Sequence, residues 1–357
     1  MTPATLVGDP EFVADFLAKA LPGQGPFTVS LLAGGASPRR FYRVGFGAGG
    51  SAVAMIVPET TPDVVKAREL GRRWPFLEIR DLLEQRGVRV PKLLFADVDR
   101  GLLLVEDLGS TLAERLVEAP AEREPLYLQA VRDLCAAQGA LAELDAECIV
   151  RMRAFDYELL HWEIQHFREW GVEARGASLT RDERARFDRA ASHLAHAIEA
   201  LPRGFVHRDY QSRNLMVTHG EKKLAWIDFQ DALLGPRAYD LVALLCDSYQ
   251  PFVRSFVERC LDEYARAASL GGEDRLALGR EFDLVTVQRK LKDAGRFVFI
   301  ERNKGDPSFL PFIEPTLDIV RQALGRLRDD PVLADLEQWL DRIAPRRASA
   351  PSFQGPV

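Results

Sequence analysis

Apolar and polar positions change period along this chain, and the changes divide it. Asp9-Pro10 reads as a helix cap followed by proline at the first helical position, and a short helix is predicted to about Ala20, ended by Pro22-Gly23. Phe27, Val29 and Leu31 then alternate with Thr28 and Ser30, the signature of a half-buried strand. Tyr42, Val44 and Phe46 alternate after a turn at Gly34–Pro38, and Ala52–Val57 follows a second turn at Gly47–Gly50. Residues 63–86 read as helix broken near Trp74-Pro75. Lys92–Ala96 and Gly101–Glu106 read as two further strands. Residues 1–106 are thus predicted to form a small α+β unit built on a sheet.

Beyond Asp107-Leu108-Gly109 the period becomes helical. Leu126, Ala130, Leu134, Ala137, Leu141 and Leu144 recur at spacings of three and four. Further helices are predicted at 156–170, 181–200, 237–248, 251–269, 281–303, 315–326 and 331–343. A loop-and-strand segment, 202–236, interrupts them and carries the densest polar chemistry. The tail 346–357, rich in Pro, Ser and Ala, reads as disordered.

Composition excludes several classes. The 357 residues carry 47 Lys+Arg and 53 Asp+Glu, a formal net charge of −6, which argues against nucleic-acid binding. The four cysteines, Cys135, Cys148, Cys246 and Cys260, form no CxxC pair, so neither a zinc cluster nor a disulfide framework is implied. No apolar stretch approaches the roughly 20 residues that span a bilayer. The opening MTPATLVGDPEF has neither a basic start nor an apolar run, so no secretory signal and a cytoplasmic protein are expected. The pairs His161/His166 and His193/His196 suggest no third ligand, and His219 reads as a solvated turn residue.

The chemistry sits in FVHRDYQSRN (205–214) and LAWIDFQD (224–231). HRD alone recurs by chance. HRD with Asn five residues past its Asp, then a strand, a turn and apolar-Asp-Phe, is specific. Phosphoryl transfer explains these types, since its transition state is stabilised chiefly by positioning and metal. Asp209 is placed to orient an acceptor hydroxyl and take its proton. Asn214 and Asp228 offer the hard oxygens that Mg²⁺ requires. His207 and Arg208 are expected to hold the loop.

These motifs resemble the aminoglycoside phosphotransferase/choline kinase family, over roughly residues 25–305. The resemblance implies a two-lobed protein-kinase-like α+β fold, with a small, mostly antiparallel sheet as N-lobe (1–106) and a larger helical C-lobe (112–345). It implies use of ATP with Mg²⁺ and phosphorylation of a small-molecule hydroxyl. Val105–Gly109 resembles the family's hinge (107–111), with the backbone of Glu106–Leu108 holding adenine. Tyr239-Asp240-Leu241 resembles the stretch in which an Asp braces the catalytic loop. HRDYQSRNLM, IDFQDALLGPRAYDL and Gln288-Arg289-Lys290-Leu291-Lys292 resemble bacterial kinases that phosphorylate the anomeric hydroxyl of N-acetylmuramate and N-acetylglucosamine in cell-wall recycling. In aminoglycoside enzymes Gly is expected in place of Arg208.

Departures matter too. The third strand, SAVAMIVPE, has Met55 or a neighbour where kinases of this fold carry a phosphate-binding Lys. The anomeric sugar kinases lack that Lys as well. Arg39 or Arg40, beside the turn holding Gly35 and Ser37, is the substitute considered, and Arg40 is taken with Gly35 and Ser37 as nucleotide-binding. Glu78 and Glu69 are the candidates for the usual partner of that Lys. By resemblance, the aromatic helix FDYELLHWEIQHFREW walls the acceptor pocket, making Glu163 and Trp170 candidate acceptor contacts. Gln230 and Asp231, next to Asp228, are two more. The rivals are a kinase of another small alcohol, a protein kinase, disfavoured by the missing Ala-Pro-Glu, and a non-catalytic pseudokinase supported only by Met55.

Overall fold

The computed structural model describes residues 10–32, 38–218, 223–248 and 250–345. The chain forms two compact units, described separately: one spans 1–110 and 216–230, the other 111–215 and 231–357. The segment 216–230 clusters with the sheet although it follows several helices in sequence.

The first unit is a five-stranded antiparallel sheet of β1 (Phe27–Leu31), β2 (Arg40–Phe46), β3 (Ser51–Ile56), β4 (Leu93–Asp97) and β5 (Leu102–Glu106), in the order β1-β2-β3-β5-β4. Alternation decides its faces. Tyr42, Val44, Ala52, Ala54, Ile56, Leu102 and Leu104 share one face, where Val13 and Leu17 of helix α1 (Pro10–Ala20) seal them. Each fully buried aliphatic side chain there contributes about 1.5–3 kcal/mol. Met55 occupies the other face, across from Phe41 and Leu103 in the ladder, and is 2% exposed. The expected helical break is present: α2 (Pro62–Glu69) and α3 (Pro75–Gln85) each start on a proline at the first helical position.

The second unit is helical. Its first helix, Leu112–Glu118, opens with a capping box in which Thr111 and Glu114 satisfy each other's backbone N–H groups. Arg123–Ala140, Tyr157–His166, Arg181–Glu199, Ala238–Leu245, Arg254–Ala267, Ile313–Arg326 and Pro331–Ile343 follow. The longest helix, Gly272–Lys304, starts nine residues before the expected 281. Gly279 lowers local helix propensity by up to about 1 kcal/mol, and these first turns bury only Leu278. Eleven consecutive residues of this helix, 281–291, are buried, because other helices pack around it. The helix predicted over 156–170 is α-helical only to His166 and continues as a π turn, Phe167–Val172. Gly295 lets the long helix approach that turn: a Cβ there would lie 2.7 Å from the His166 carbonyl oxygen.

Candidate active site

In the helical unit, strand Arg203–Val206 pairs antiparallel with Leu233–Pro236 and delivers the loop 207–214. Both oxygens of Asp240 accept from that loop, Oδ2 from the His207 N–H at 2.7 Å and Oδ1 from the Arg208 N–H at 3.0 Å. Asp240 is fully buried, and burial pushes its carboxyl up to about 7 although the two N–H groups pull it down. His207 is also fully buried. Arg208 has φ +79°, a left-handed conformation costly for a residue with a Cβ. The clamp holds it there from both sides, since Arg289 Nη1 donates to the Arg208 carbonyl at 2.8 Å.

Asp209 follows immediately. Its carbonyl accepts from Asn214 Nδ2 at 2.8 Å and from the Gln211 N–H at 2.9 Å, which closes the loop on itself. Ser212 and Tyr210 anchor it further, to Asp247 at 2.9 Å and to the Ala130 carbonyl at 2.8 Å. Arg289 Nη2 reaches the Asp209 carboxylate at 3.4 Å. Burial works against the Asp209 charge, but Arg289, Lys292, Arg208 and His207 outweigh it and hold the carboxyl below its ordinary value. Asp209 is therefore an ionised, oriented carboxylate at neutral pH.

Glu163 is 1% exposed. Its carboxylate takes Gln288 Nε2 at 2.7 Å and Arg208 Nη2 at 3.3 Å. It thus faces the protein and aims the Arg208 side chain. Asp231 lies within electrostatic reach of Arg208. Trp170 packs edge-on against Phe299, with centroids 5.0 Å apart. Three contributors escaped residue-level reading: Gln288, Arg289 and Lys292. The run holding them was visible as a resemblance, but their contacts lie about 80 to 125 residues away in sequence, and no local spacing reveals such contacts.

In the sheet unit, Asp228 follows the short strand Ala225–Trp226, which the Trp226 N–H ties to the Arg89 carbonyl at 2.8 Å. Asp228 has φ +64°, so two of the three left-handed non-glycine residues among those described, Arg208, Asp228 and Ser269, are site candidates. Gln230 Nε2 donates to Asp228 Oδ1 at 2.9 Å and is buried, so it holds that carboxylate. Phe229 stacks on Phe76 at 5.2 Å and fixes the turn.

Near the expected hinge, Glu106 takes a two-pronged pair from Arg89 at 2.8 and 2.9 Å. Arg89 together with the Lys92 N–H keeps its carboxyl below the usual range despite partial burial. Asp107 accepts from Arg43 and Ser51, each at 2.8 Å. Leu108, Met216, Ala225 and Ile227 form an apolar cluster beside this backbone.

Gly35 and Ser37 lie outside the described residues, as do His219 and the tail 346–357. Arg40 opens β2 and is exposed, whereas Arg39 pairs with Asp63. Glu78 pairs with Arg72 at 2.6 Å, and Glu69 is exposed. Met55 itself is buried, across from Phe41 and Leu103.

Among the described residues no group of three or more His, Cys, Asp or Glu could hold a metal ion. In the sheet unit, the Asp228 carboxylate is a hard oxygen donor of the kind that Mg²⁺ takes.

The family model for the phosphotransferase enzyme family matches residues 28–278. The chain belongs to the phosphotransferase enzyme family. The N-acetylmuramate/N-acetylglucosamine kinase of Neisseria meningitidis serogroup B is 34% identical over 313 residues, which cover 84% of this chain and 86% of that protein. The kinase of the same name from Pseudomonas aeruginosa is 32% identical over 328 residues, covering 88% of each chain. Among solved structures, an ADP-bound aminoglycoside phosphotransferase superposes with a TM-score of 0.58 at 14% identity, covering 87% of this chain and 98% of its own. That likeness shows the fold: a two-lobed, kinase-like α+β architecture.

Proposed function

We propose that this phosphotransferase moves the γ-phosphoryl group of ATP to the anomeric hydroxyl of an N-acetylated amino sugar, N-acetylmuramate or N-acetylglucosamine. The observation that carries the reading is the clamped, ionised Asp209, in a chain about one-third identical to kinases named for those two sugars.

The roles follow from chemistry. Asp209 orients the acceptor hydroxyl and accepts its proton as the new O–P bond forms and the bond to the leaving ADP oxygen breaks. Asp240 and Arg289 keep Asp209 in place. The backbone of Glu106–Leu108 binds adenine over the apolar cluster of Leu108, Met216, Ala225 and Ile227. Arg40, Gly35 and Ser37 contribute to nucleotide binding. Asn214 and Asp228 would hold Mg²⁺, which would supply neutralisation of the phosphate charge. Gln230 and Glu163 act by holding Asp228 and Arg208, while Trp170 and Asp231 face the acceptor. Residues 1–106 form the nucleotide-binding lobe, 107–111 the hinge and 112–345 the acceptor lobe. The enzyme works in the cytoplasm, where ATP meets recovered cell-wall sugars.

A coupled ADP-release assay tests this with N-acetylmuramate, N-acetylglucosamine, glucose, choline and kanamycin. ADP release with the two N-acetyl sugars is expected. Turnover confined to choline or kanamycin would keep the phosphotransferase and remove the sugar assignment.

A further inference from the structure

Helix Tyr157–His166 and its π turn place Trp162, His166 and Trp170 four residues apart, on one face. The ring centroids step from Trp162 to His166 at 5.7 Å and on to Trp170 at 6.2 Å, and Phe299 closes the patch 5.4 Å from His166 and 5.0 Å from Trp170. Trp162 is 60% exposed, so the patch opens to solvent rather than ending in core. A π turn is itself a feature frequent at functional sites.

One cation stands over this patch and a second lies within electrostatic reach of it. Arg296 lies above Phe299 at 4.7 Å, and no acid pairs with it among the described residues. Lys292, one turn earlier, acts on His166 as well as on Glu163 and Asp209, and its pair with Asp293 is 3.6 Å long, since Lys290 holds that acid at 2.9 Å. Burial and both cations lower the pKa of His166, which is neutral. Its Nε2 is buried and has no hydrogen-bond partner. A buried polar atom without a partner costs about 1–3 kcal/mol unless something satisfies it.

Arg289, which holds Asp209, precedes Arg296 by seven residues on the same helix, two turns or about 10 Å, so the clamp and the patch share one face of that helix.

Resting on the sugar-kinase reading above, we propose that Lys292, Arg296 and His166 form a subsite for an acidic substituent of the acceptor, with Trp170 and Phe299 as its apolar floor. N-acetylmuramate differs from N-acetylglucosamine by a lactyl ether that carries a carboxylate. The subsite therefore makes the acidic sugar the better substrate. Arg296 and Lys292 supply charge-assisted bonds to the carboxylate, and His166 Nε2 supplies one hydrogen bond.

The test compares kcat/KM for the two sugars in the full-length protein. Wild type favours N-acetylmuramate, and Arg296→Gln lowers the ratio of the two constants about tenfold, the effect of one charge-assisted bond. Lys292→Met lowers the same ratio, and Arg296→Lys, which keeps the charge, retains most of it. A ratio, not an absolute rate, is read, so a general loss of folded enzyme cancels. Turnover of both sugars with a ratio unmoved by Arg296→Gln and Lys292→Met overturns the subsite and leaves the kinase reading standing. Turnover of neither sugar overturns both.

Discussion

Strand β3 and the loop 207–214 treat charge differently. On β3, where kinases of this fold commonly carry a lysine, Met55 is 2% exposed across from Phe41 and Leu103. On the loop, Arg208, Arg289 and Lys292 crowd one carboxylate, and a buried acid ties down the backbone beneath it. The strand is kept by apolar packing, which tolerates no unpaired ion. The loop is kept by a closed set of charged hydrogen bonds, in which every member depends on the others. The helical unit, through the helix Gly272–Lys304, gathers cations around one acid, whereas β3 carries none.

The largest break is expected at the loop's centre. Asp209→Asn should lower kcat by roughly 10²–10⁴, the worth of a general base. Calorimetry should find ATP binding nearly intact.

Next comes the brace. Asp240→Ala leaves the His207 and Arg208 N–H groups buried without an acceptor, and should cost about 2–4 kcal/mol in urea unfolding. Its pH dependence has a definite sign. The folded carboxyl lies at about 7, above its unfolded value, so the native state binds more protons between roughly pH 4 and 7. That contribution to stability falls as pH rises through this window. Asp240→Asn should flatten it.

The strand gives the converse. Met55→Lys buries an ammonium against apolar neighbours and should destabilise by about 2–4 kcal/mol with no gain in turnover. Met55→Leu should cost under about 1.5 kcal/mol. A Met55→Lys protein that melted like wild type and turned over faster would erase the contrast between the two regions.

Arg289→Gln sharpens it. With this cation gone the Asp209 carboxyl rises, so the acid limb of the rate profile should move to higher pH. Arg289→Lys should restore part of the shift. The smallest effect is at the capping box, where Thr111→Ala should cost about 1 kcal/mol in a melt and leave the pH profile in place.

Much of this was legible from local pattern. Alternation at Phe27–Leu31 and Tyr42–Phe46 found the strands, and Pro62 and Pro75 set the helix starts, because both signals act over a few residues. HRDxxxxN marked Asp209 and Asn214 for the same reason. What the pattern hid was long-range. Glu163 reads as one polar residue on an aromatic helix, and only tertiary packing turns it inward to Gln288 and Arg208. Arg208 gives no sign of its left-handed backbone, since the sequence signal for that conformation is glycine and the strain is borne by Asp240 and Arg289. The early start of the Gly272–Lys304 helix was masked because its first nine residues, Gly279 among them, are mostly exposed, with only Leu278 buried, so no apolar period marks them.

The phosphate is expected on the anomeric oxygen, and phosphorus NMR of the reaction product reads its position. Wild-type enzyme with Mg·ATP and N-acetylmuramate should give a phosphorus resonance split by the anomeric proton, with loss of the reducing end. A product phosphorylated on C6, or one that still reduces, would contradict the account.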